Sequence, residues 1–225
     1  MTETLALFDL DNTLLPIDSD YEWGQFIVRI GAVDKDTYEA KNKMFFEQYI
    51  AGTLDAAEYL AFALGELKGI PRAKLDAWHQ QFMAEVIIPN IKPAAVNLVK
   101  SHLDKGHLTA IVTATNRFVT APIAKAFGVK HLIAAIPEET PDGMLTGGLV
   151  GTPTSGKGKI EHTEKWLASL GLSFEQFADS YFYSDSDRDI PLLSKVKHPV
   201  AANPNERLKA YALANGWDLL YLFDD

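Results

Sequence analysis

The sequence predicts an α/β protein, a three-layer arrangement in which helices cover both faces of a parallel sheet, with an all-helical block inserted near the start. Three observations carry this. From residue 93 onward short apolar runs alternate with segments of helical periodicity, the pattern of successive strand–helix–strand units. Between Tyr21 and Val86 apolar residues fall at helical spacing and no strand pattern appears. Ahead of that block the apolar run Leu5-Ala6-Leu7-Phe8 breaks off into Asp9-Leu10-Asp11-Asn12-Thr13.

The first strand is expected over 5–8. The insert is expected over 16–89, leaving 1–15 and 90–225 as the core. Within the insert Trp23, Phe26, Ile27 and Ile30, then Phe45 and Tyr49, then Tyr59, Phe62, Ala63 and Leu67 fall at helical spacing. Gly31, Gly52 and Gly69-Ile70-Pro71 read as breaks between helices. Pro89 and Pro93 mark the exit, because a residue preceding proline avoids the helical region. Core helices are expected over 93–105, 118–127, 159–170, 190–195 and 206–215. Strands are expected over 108–113, 131–136, 181–184, 199–202 and 218–223. Asp104-Lys105-Gly106-His107 and Ala126-Phe127-Gly128-Val129 look like glycine stops at helix ends. The segment from Met144 to Val150 interrupts the alternation and reads as a β-hairpin turning on Gly147-Gly148.

A 225-residue chain with 47% hydrophobic content can bury a sizeable core. The net charge of −9 and a pI near 5.1 argue against a nucleic-acid partner, which needs a basic face. A small phosphorylated molecule needs only a few local cations and stays open. The absence of cysteine excludes disulfides, thiolate metal sites and cysteine nucleophiles, and fits a reducing compartment. Met1-Thr2-Glu3-Thr4 carries no basic charge and Asp9 interrupts the apolar run behind it, so no signal peptide is expected. No apolar run approaches the roughly 18 residues that span a bilayer. The expectation is a cytoplasmic protein, monomer or homodimer, with no membrane partner.

In an open α/β sheet, ligands bind beyond the carboxyl ends of the strands. Asp9, Asp11 and Thr13 follow the first expected strand. Thr113, Thr115 and Asn116 follow the second, and Asp185, Asp187 and Asp189 follow 181–184. Carboxylates are costly there unless paired, hydrogen-bonded or bound to metal. Asp-x-Asp-x-Thr therefore points to a metal-assisted reaction centre; the alternative is an Asx-type turn capping the next segment.

Four short motifs in order, with a helical insert behind the first, resemble the haloacid dehalogenase (HAD)-like hydrolases, within them the phosphoserine-phosphatase-like group, subfamily IB. The motifs are Asp9-Leu10-Asp11-Asn12-Thr13, Thr113 ending Ala110-Ile111-Val112-Thr113, a lysine in Gly156-Lys157-Gly158-Lys159-Ile160, and Ser184-Asp185-Ser186-Asp187-Arg188-Asp189. The resemblance implies a Rossmann-like core with a type C1 helical cap and a Mg²⁺ ion held by Asp9, the main-chain carbonyl of Asp11, and Asp185, an oxygen-only set suited to that ion. It further implies that Asp9 is the nucleophile forming an aspartyl-phosphate, and that Asp11 is the acid for the leaving alkoxide and then the base for water. Thr113, Ala114 and Lys159 would bind the phosphoryl oxygens. Thr13, Asp189 and Asn116 would support the site, Thr13 by steadying the loop and Asp189 by orienting Lys159 or a metal-bound water. Counting back from the stop at Leu170-Gly171-Leu172 favours Lys159 over Lys157 as the motif lysine. Asp187 and Arg188 read as solvated loop charges. The six histidines lack metal-ligand spacing. Among the insert aromatics, Trp23, Phe26, Phe45, Phe46, Tyr49, Tyr59 and Phe62, most are expected in its core and one or two against substrate.

Asp18 sits nine residues after Asp9, where phosphoserine phosphatases bind the substrate ammonium with an acidic residue; the alternative is that Asp18 and Asp20 cap the next helix. Those phosphatases also clamp the substrate carboxylate with a cap arginine. Here the insert has only Arg29 and Arg72, neither at that place, where Leu60 or a neighbour falls. The expected substrate is thus an amine-bearing phosphomonoester without a carboxylate, such as histidinol phosphate, with phosphoserine the alternative. Two other classes compete. Gly151-Thr152-Pro153-Thr154-Ser155-Gly156-Lys157-Gly158 nearly matches a nucleotide-binding P-loop but lacks its final hydroxyl. A non-catalytic binding protein on the same fold is the other.

Overall fold

A computed structural model describes residues 4–223, apart from the side chains of Phe46, Tyr49 and Ile50. Strand β1 (Thr4–Phe8) is buried along its whole length and lies at the centre of the sheet. Its neighbours are β2 (Leu108–Asn116) and β5 (Asp179–Ser184). Outside these lie β3 (His131–Glu139) and β4 (Leu145–Val150) on one side, β6 (His198–Ala202) and β7 (Asp218–Leu220) on the other. The order is β4-β3-β2-β1-β5-β6-β7. Every pairing is parallel except β3 with β4. Register places Phe8 opposite both Ile111 and Tyr183, so Asp9, Thr113 and Asp185 emerge together at one sheet edge.

Alternation along β1 builds the layers. Ala6 and Phe8 point into one core with Ile111, Tyr183 and Val200; Leu5 and Leu7 point into a second with Ala110, Val112 and Phe182. Helices α6 (Pro93–Leu103) and α7 (Arg117–Ala126) cover the first face. The second is covered by α8 (Lys157–Ser169), α9 (Ile190–Leu193) and α10 (Glu206–Asn215).

Between β1 and β2 the chain is helical: α1 (Ser19–Arg29), α2 (Lys35–Ala51), α3 (Ala56–Gly65), α4 (Arg72–Phe82), a π-helical turn (Met83–Ile87) and α5 (Ile88–Asn90). Trp23 and Phe26 pack on Phe82, and Trp23 also on Phe118 of α7, which ties α1 to the core.

The structure corrects the hairpin. Gly147-Gly148 lies inside β4, and the turn falls at Thr140-Pro141-Asp142-Gly143. There Gly143 N–H donates to Thr140 O and Thr140 N–H to Met144 O, with Gly143 at φ +81°. Proline at the second turn position and glycine at the left-handed one suit this geometry. Gly147, also at positive φ, leaves room for α3: a Cβ there would sit 3.4 Å from the Gly65 Cα. Strands β2 and β3 run three residues further than expected, and β7 stops at Leu220.

Candidate active site

Asp9 follows β1 directly, and its N–H donates to Tyr183 O, so the strand ladder fixes where its carboxyl starts. Asn12 holds a left-handed backbone, φ +59°, which turns the chain sharply after Asp11. The side chain of Asn203, beyond β6, donates to the Asn12 and Thr13 carbonyls and pins that turn.

Lys159 is the centre of the arrangement. It lies in the first turn of α8, is 4% exposed, and donates to Asp9 Oδ1 at 2.8 Å and to Asp189 Oδ2 at 2.6 Å. Asp189 Oδ2 also accepts from Ser184 Oγ at 2.7 Å. Burial alone would lower the Lys159 ammonium, but Asp189 and Asp9 outweigh it and the net shift is upward. Lys157 is exposed and lies outside the cavity lining. Thr13, fully buried, does more than steady its loop. Its hydroxyl reaches Asp185 Oδ1 at 3.2 Å and Asp9 Oδ2 at 3.4 Å, and accepts the Asp185 N–H.

Asp11 lines the same cavity. Its Oδ1 accepts from Ser19 N at 2.7 Å and its Oδ2 from Thr115 Oγ1 at 2.8 Å, with Thr113 Oγ1 at 3.4 Å. Burial, reinforced by Asp18, pushes its carboxyl up to about 6. Thr115 was not among the expected site residues, although i, i+2 spacing from Thr113 puts both hydroxyls on one strand face. Ala114 is exposed and lines the cavity. Asn116 caps α7 through Val119 N and donates to Asp20 Oδ1 at 3.3 Å.

These groups floor a cavity of about 510 Å³ whose far wall comes from α1, α2 and α3. Asp18 and Asp20 line it; Asp18 Oδ1 also caps α1 by accepting from the Asp20 and Tyr21 amides. Phe45, Tyr59 and Leu60 line it as well, while Trp23 and Phe26 belong to the core, and Phe46 and Tyr49 lie outside the described side chains. Arg188, read from sequence as a solvated charge, lines the cavity. Asp187 instead accepts from Asn205. Arg29 pairs with Glu85, and Arg72 with Asp76 and Glu139, away from this cavity. The Gly151–Lys157 segment follows the antiparallel edge strand β4 rather than a core strand.

Among the described residues no three His, Asp or Glu side chains converge around a common point as in a side-chain metal cage. The donor set still suits a divalent cation. Asp9 and Asp189 share the ammonium of Lys159 and Asp185 joins them through Thr13; each is under a tenth exposed, and the group carries an excess of two negative charges when all are ionised. Burial, with Asp9 and Asp189 adding to it, drives the Asp185 carboxyl well above the usual range. A hard cation held by Asp9, Asp185 and a main-chain carbonyl would relieve that repulsion.

A family model described as haloacid dehalogenase-like hydrolase matches residues 6–194. A histidinol-phosphatase of Neisseria meningitidis is 41% identical over 218 residues, covering 97% of this chain and 98% of its own. A phosphoserine phosphatase of Mycobacterium tuberculosis is 31% identical over 220 residues, 95% of this chain and 69% of its own. The crystal structure of a Bordetella pertussis protein of unknown function superposes with a TM-score of 0.94 at 50% identity, covering 99% and 100% of the two chains.

Proposed function

This chain belongs to the haloacid dehalogenase-like hydrolases and is a phosphatase of that family, and from this premise we propose that it is a Mg²⁺-dependent phosphomonoesterase working through an aspartyl-phosphate on Asp9, with an amine-bearing, carboxylate-free substrate such as histidinol phosphate. The observation that carries the mechanism is a pair of carboxyls lining one cavity on separate supports. Asp9 is held by Lys159 and Thr13, and Asp11 is held by Ser19 and Thr115 with its acidity shifted toward neutrality. Asp9 attacks phosphorus in line, forming the P–O bond to its carboxyl oxygen as the ester P–O bond breaks. Asp11 gives its proton to the departing alkoxide, then takes one from the water that hydrolyses the acyl phosphate. Lys159, Thr113 and the Ala114 amide take the phosphoryl oxygens, and Asp189 aims the lysine. Asp9, Asp185 and the Asp11 carbonyl would hold Mg²⁺, which supplies charge neutralisation between the anionic nucleophile and the phosphoryl dianion.

Residues 16–89 act as the cap over a core of 1–15 and 90–225, excluding water when closed. Substrate class is supported by the cap wall. It presents Asp18 and Asp20, and none of its described cavity-lining residues is a lysine or arginine, so a substrate ammonium finds ionic partners on that wall and a carboxylate finds none. The identity to a histidinol-phosphatase over nearly the full length of both chains supports the same reading, and the more distant phosphoserine phosphatase keeps phosphoserine as the second. The acidic composition supports a small metabolite rather than nucleic acid as partner, and we place the protein in the cytoplasm as a monomer or homodimer. Among the described residues no single helix is long and apolar enough to cross a membrane.

The test is phosphate release from a panel of small phosphomonoesters, with histidinol phosphate beside phosphoserine. Selective release from the amine ester, abolished by EDTA and by Asp9→Asn in a folded variant, is the expected result. Appreciable turnover by Asp9→Asn would overturn the covalent route, and phosphoserine outperforming every carboxylate-free amine ester would overturn the substrate class.

A further inference from the structure

Asp20 has a feature the reaction does not use. Its carboxyl is 6% exposed and lines the cavity, Oδ1 accepts from Asn116, and Oδ2 has no hydrogen-bond partner among the described residues. A buried carboxylate oxygen without a donor is costly, and such atoms persist where a ligand completes them. Asp18 differs: one of its oxygens is committed to capping α1 and its side chain is open to the cavity. The two carboxyls therefore occupy different depths of one wall. Tyr59 stands beside Asp20 and Phe45 packs edge to face on Tyr59, centroids 5.5 Å apart, both rings lining the cavity. Tyr59 lies near enough to Asp20 to favour its ionised form without satisfying Oδ2.

We propose that Asp20 is a second specificity carboxylate, whose Oδ2 accepts from a ring N–H of the substrate lodged against Phe45 and Tyr59, so that the enzyme selects a phosphomonoester carrying two nitrogen donors, an ammonium at Asp18 and a planar heterocycle at Asp20. This rests on the amine-phosphate reading and deepens it. A flat nitrogen ring satisfies both the apolar slot and the orphan oxygen, whereas a linear aminoalkyl phosphate fills the Asp18 position alone.

The experiment compares wild type, Asp18→Asn and Asp20→Asn on histidinol phosphate, 2-aminoethyl phosphate and p-nitrophenyl phosphate, with thermal melts for folding. Asp20→Asn is expected to lower kcat/KM for histidinol phosphate by about tenfold or more beyond its effect on 2-aminoethyl phosphate, the size of a lost charged hydrogen bond. Asp18→Asn is expected to penalise both amine esters relative to the nitrophenyl ester. Should Asp20→Asn melt early, Asp20→Glu keeps the charge but displaces it, and the same selective loss is expected. An equal loss on all three esters, or no loss, overturns the inference while wild-type preference for the amine esters keeps the parent reading. A wild type with no such preference overturns both, and that is seen before any variant is assayed.

Discussion

Thr115 is a single hydroxyl on which the acid–base role of Asp11 depends. It donates to Asp11 Oδ2 at 2.8 Å and stabilises the ionised form, offsetting part of the upward push of burial. Thr115→Val keeps the volume and removes that donor; kcat is expected to fall about tenfold, the worth of one hydrogen bond to a charged group, with the melting temperature nearly unchanged. Thr115→Ser should retain most of the activity, and equal losses in both variants would sink the assignment. Asp11 itself gives a sharper contrast. In Asp11→Asn the loss on alkyl phosphates should reach roughly 10²–10⁴-fold, the usual range for general acid–base catalysis. The loss in the first turnover, the release of the leaving group, should be smaller for p-nitrophenyl phosphate, because that leaving group needs no proton, while the later hydrolysis of the acyl phosphate slows for both. Pre-steady-state release on both esters checks this, and equal losses in that first step would mean that Asp11 gives no proton to the leaving group.

Among elements, the loop into α8 decides where Lys159 points. Gly158 is in the first turn, and a Cβ there would lie 2.3 Å from the Pro153 carbonyl oxygen, a backbone atom that cannot swing aside. Gly158→Ala is expected to cost about 1–3 kcal/mol, as overpacking does, and to lower activity by shifting the neighbouring lysine; denaturant unfolding and assay together check it, and an unchanged midpoint would show that the loop yields freely. Sequence could point to this lysine but not to its constraint, since Pro153 meets Gly158 only once the loop folds. The same distinction runs through the fold. Helical spacing between Tyr21 and Val86 and the strand–helix alternation afterward were legible because each is a local pattern set by burial of one face. The hairpin turn was misread because Gly147-Gly148 carries the usual turn signal, while Gly147 serves close packing of β4 against α3. Carboxylates at the strand ends were legible as a cluster; the contacts of Ser19, Thr115, Ser184 and Asn203 were not, because their partners are fixed only when the strand ends and the insert fold together.

For the whole molecule, the excess acid of a chain at −9 is gathered partly in one cavity, and stability must register it. Burial, chiefly, pushes Asp11 up to about 6 and Asp20 up to about 7, and drives Asp185 well above the usual range. A carboxyl whose folded pKa exceeds its unfolded value of about 3.9 binds its proton more tightly when folded. That contribution is complete below the unfolded value and is lost as pH rises through the folded one, so these groups stabilise the fold on acidification from about pH 7 toward 4. His102 acts oppositely. Buried between His107 and Tyr183, it is pushed down to about 4, chiefly by burial, so the unfolded chain takes up a proton that the folded one refuses over much of the same window. His79, His107 and His131 are also lowered, chiefly by burial, and act the same way, but the three carboxyls with large shifts outweigh them. In EDTA the melting temperature should therefore rise as pH falls from about 7.5 to 5.5, and rise less in Asp20→Asn. At the upper pH, saturating Mg²⁺ should do by charge what protons do at the lower, adding about 2.7 kcal/mol at a hundred times its Kd, and Asp185→Asn should forfeit most of that gain. A melting temperature that fell on acidification in EDTA would show that the histidines dominate, and a Mg²⁺ increment surviving in Asp185→Asn would move the cation away from the carboxylates gathered around Lys159.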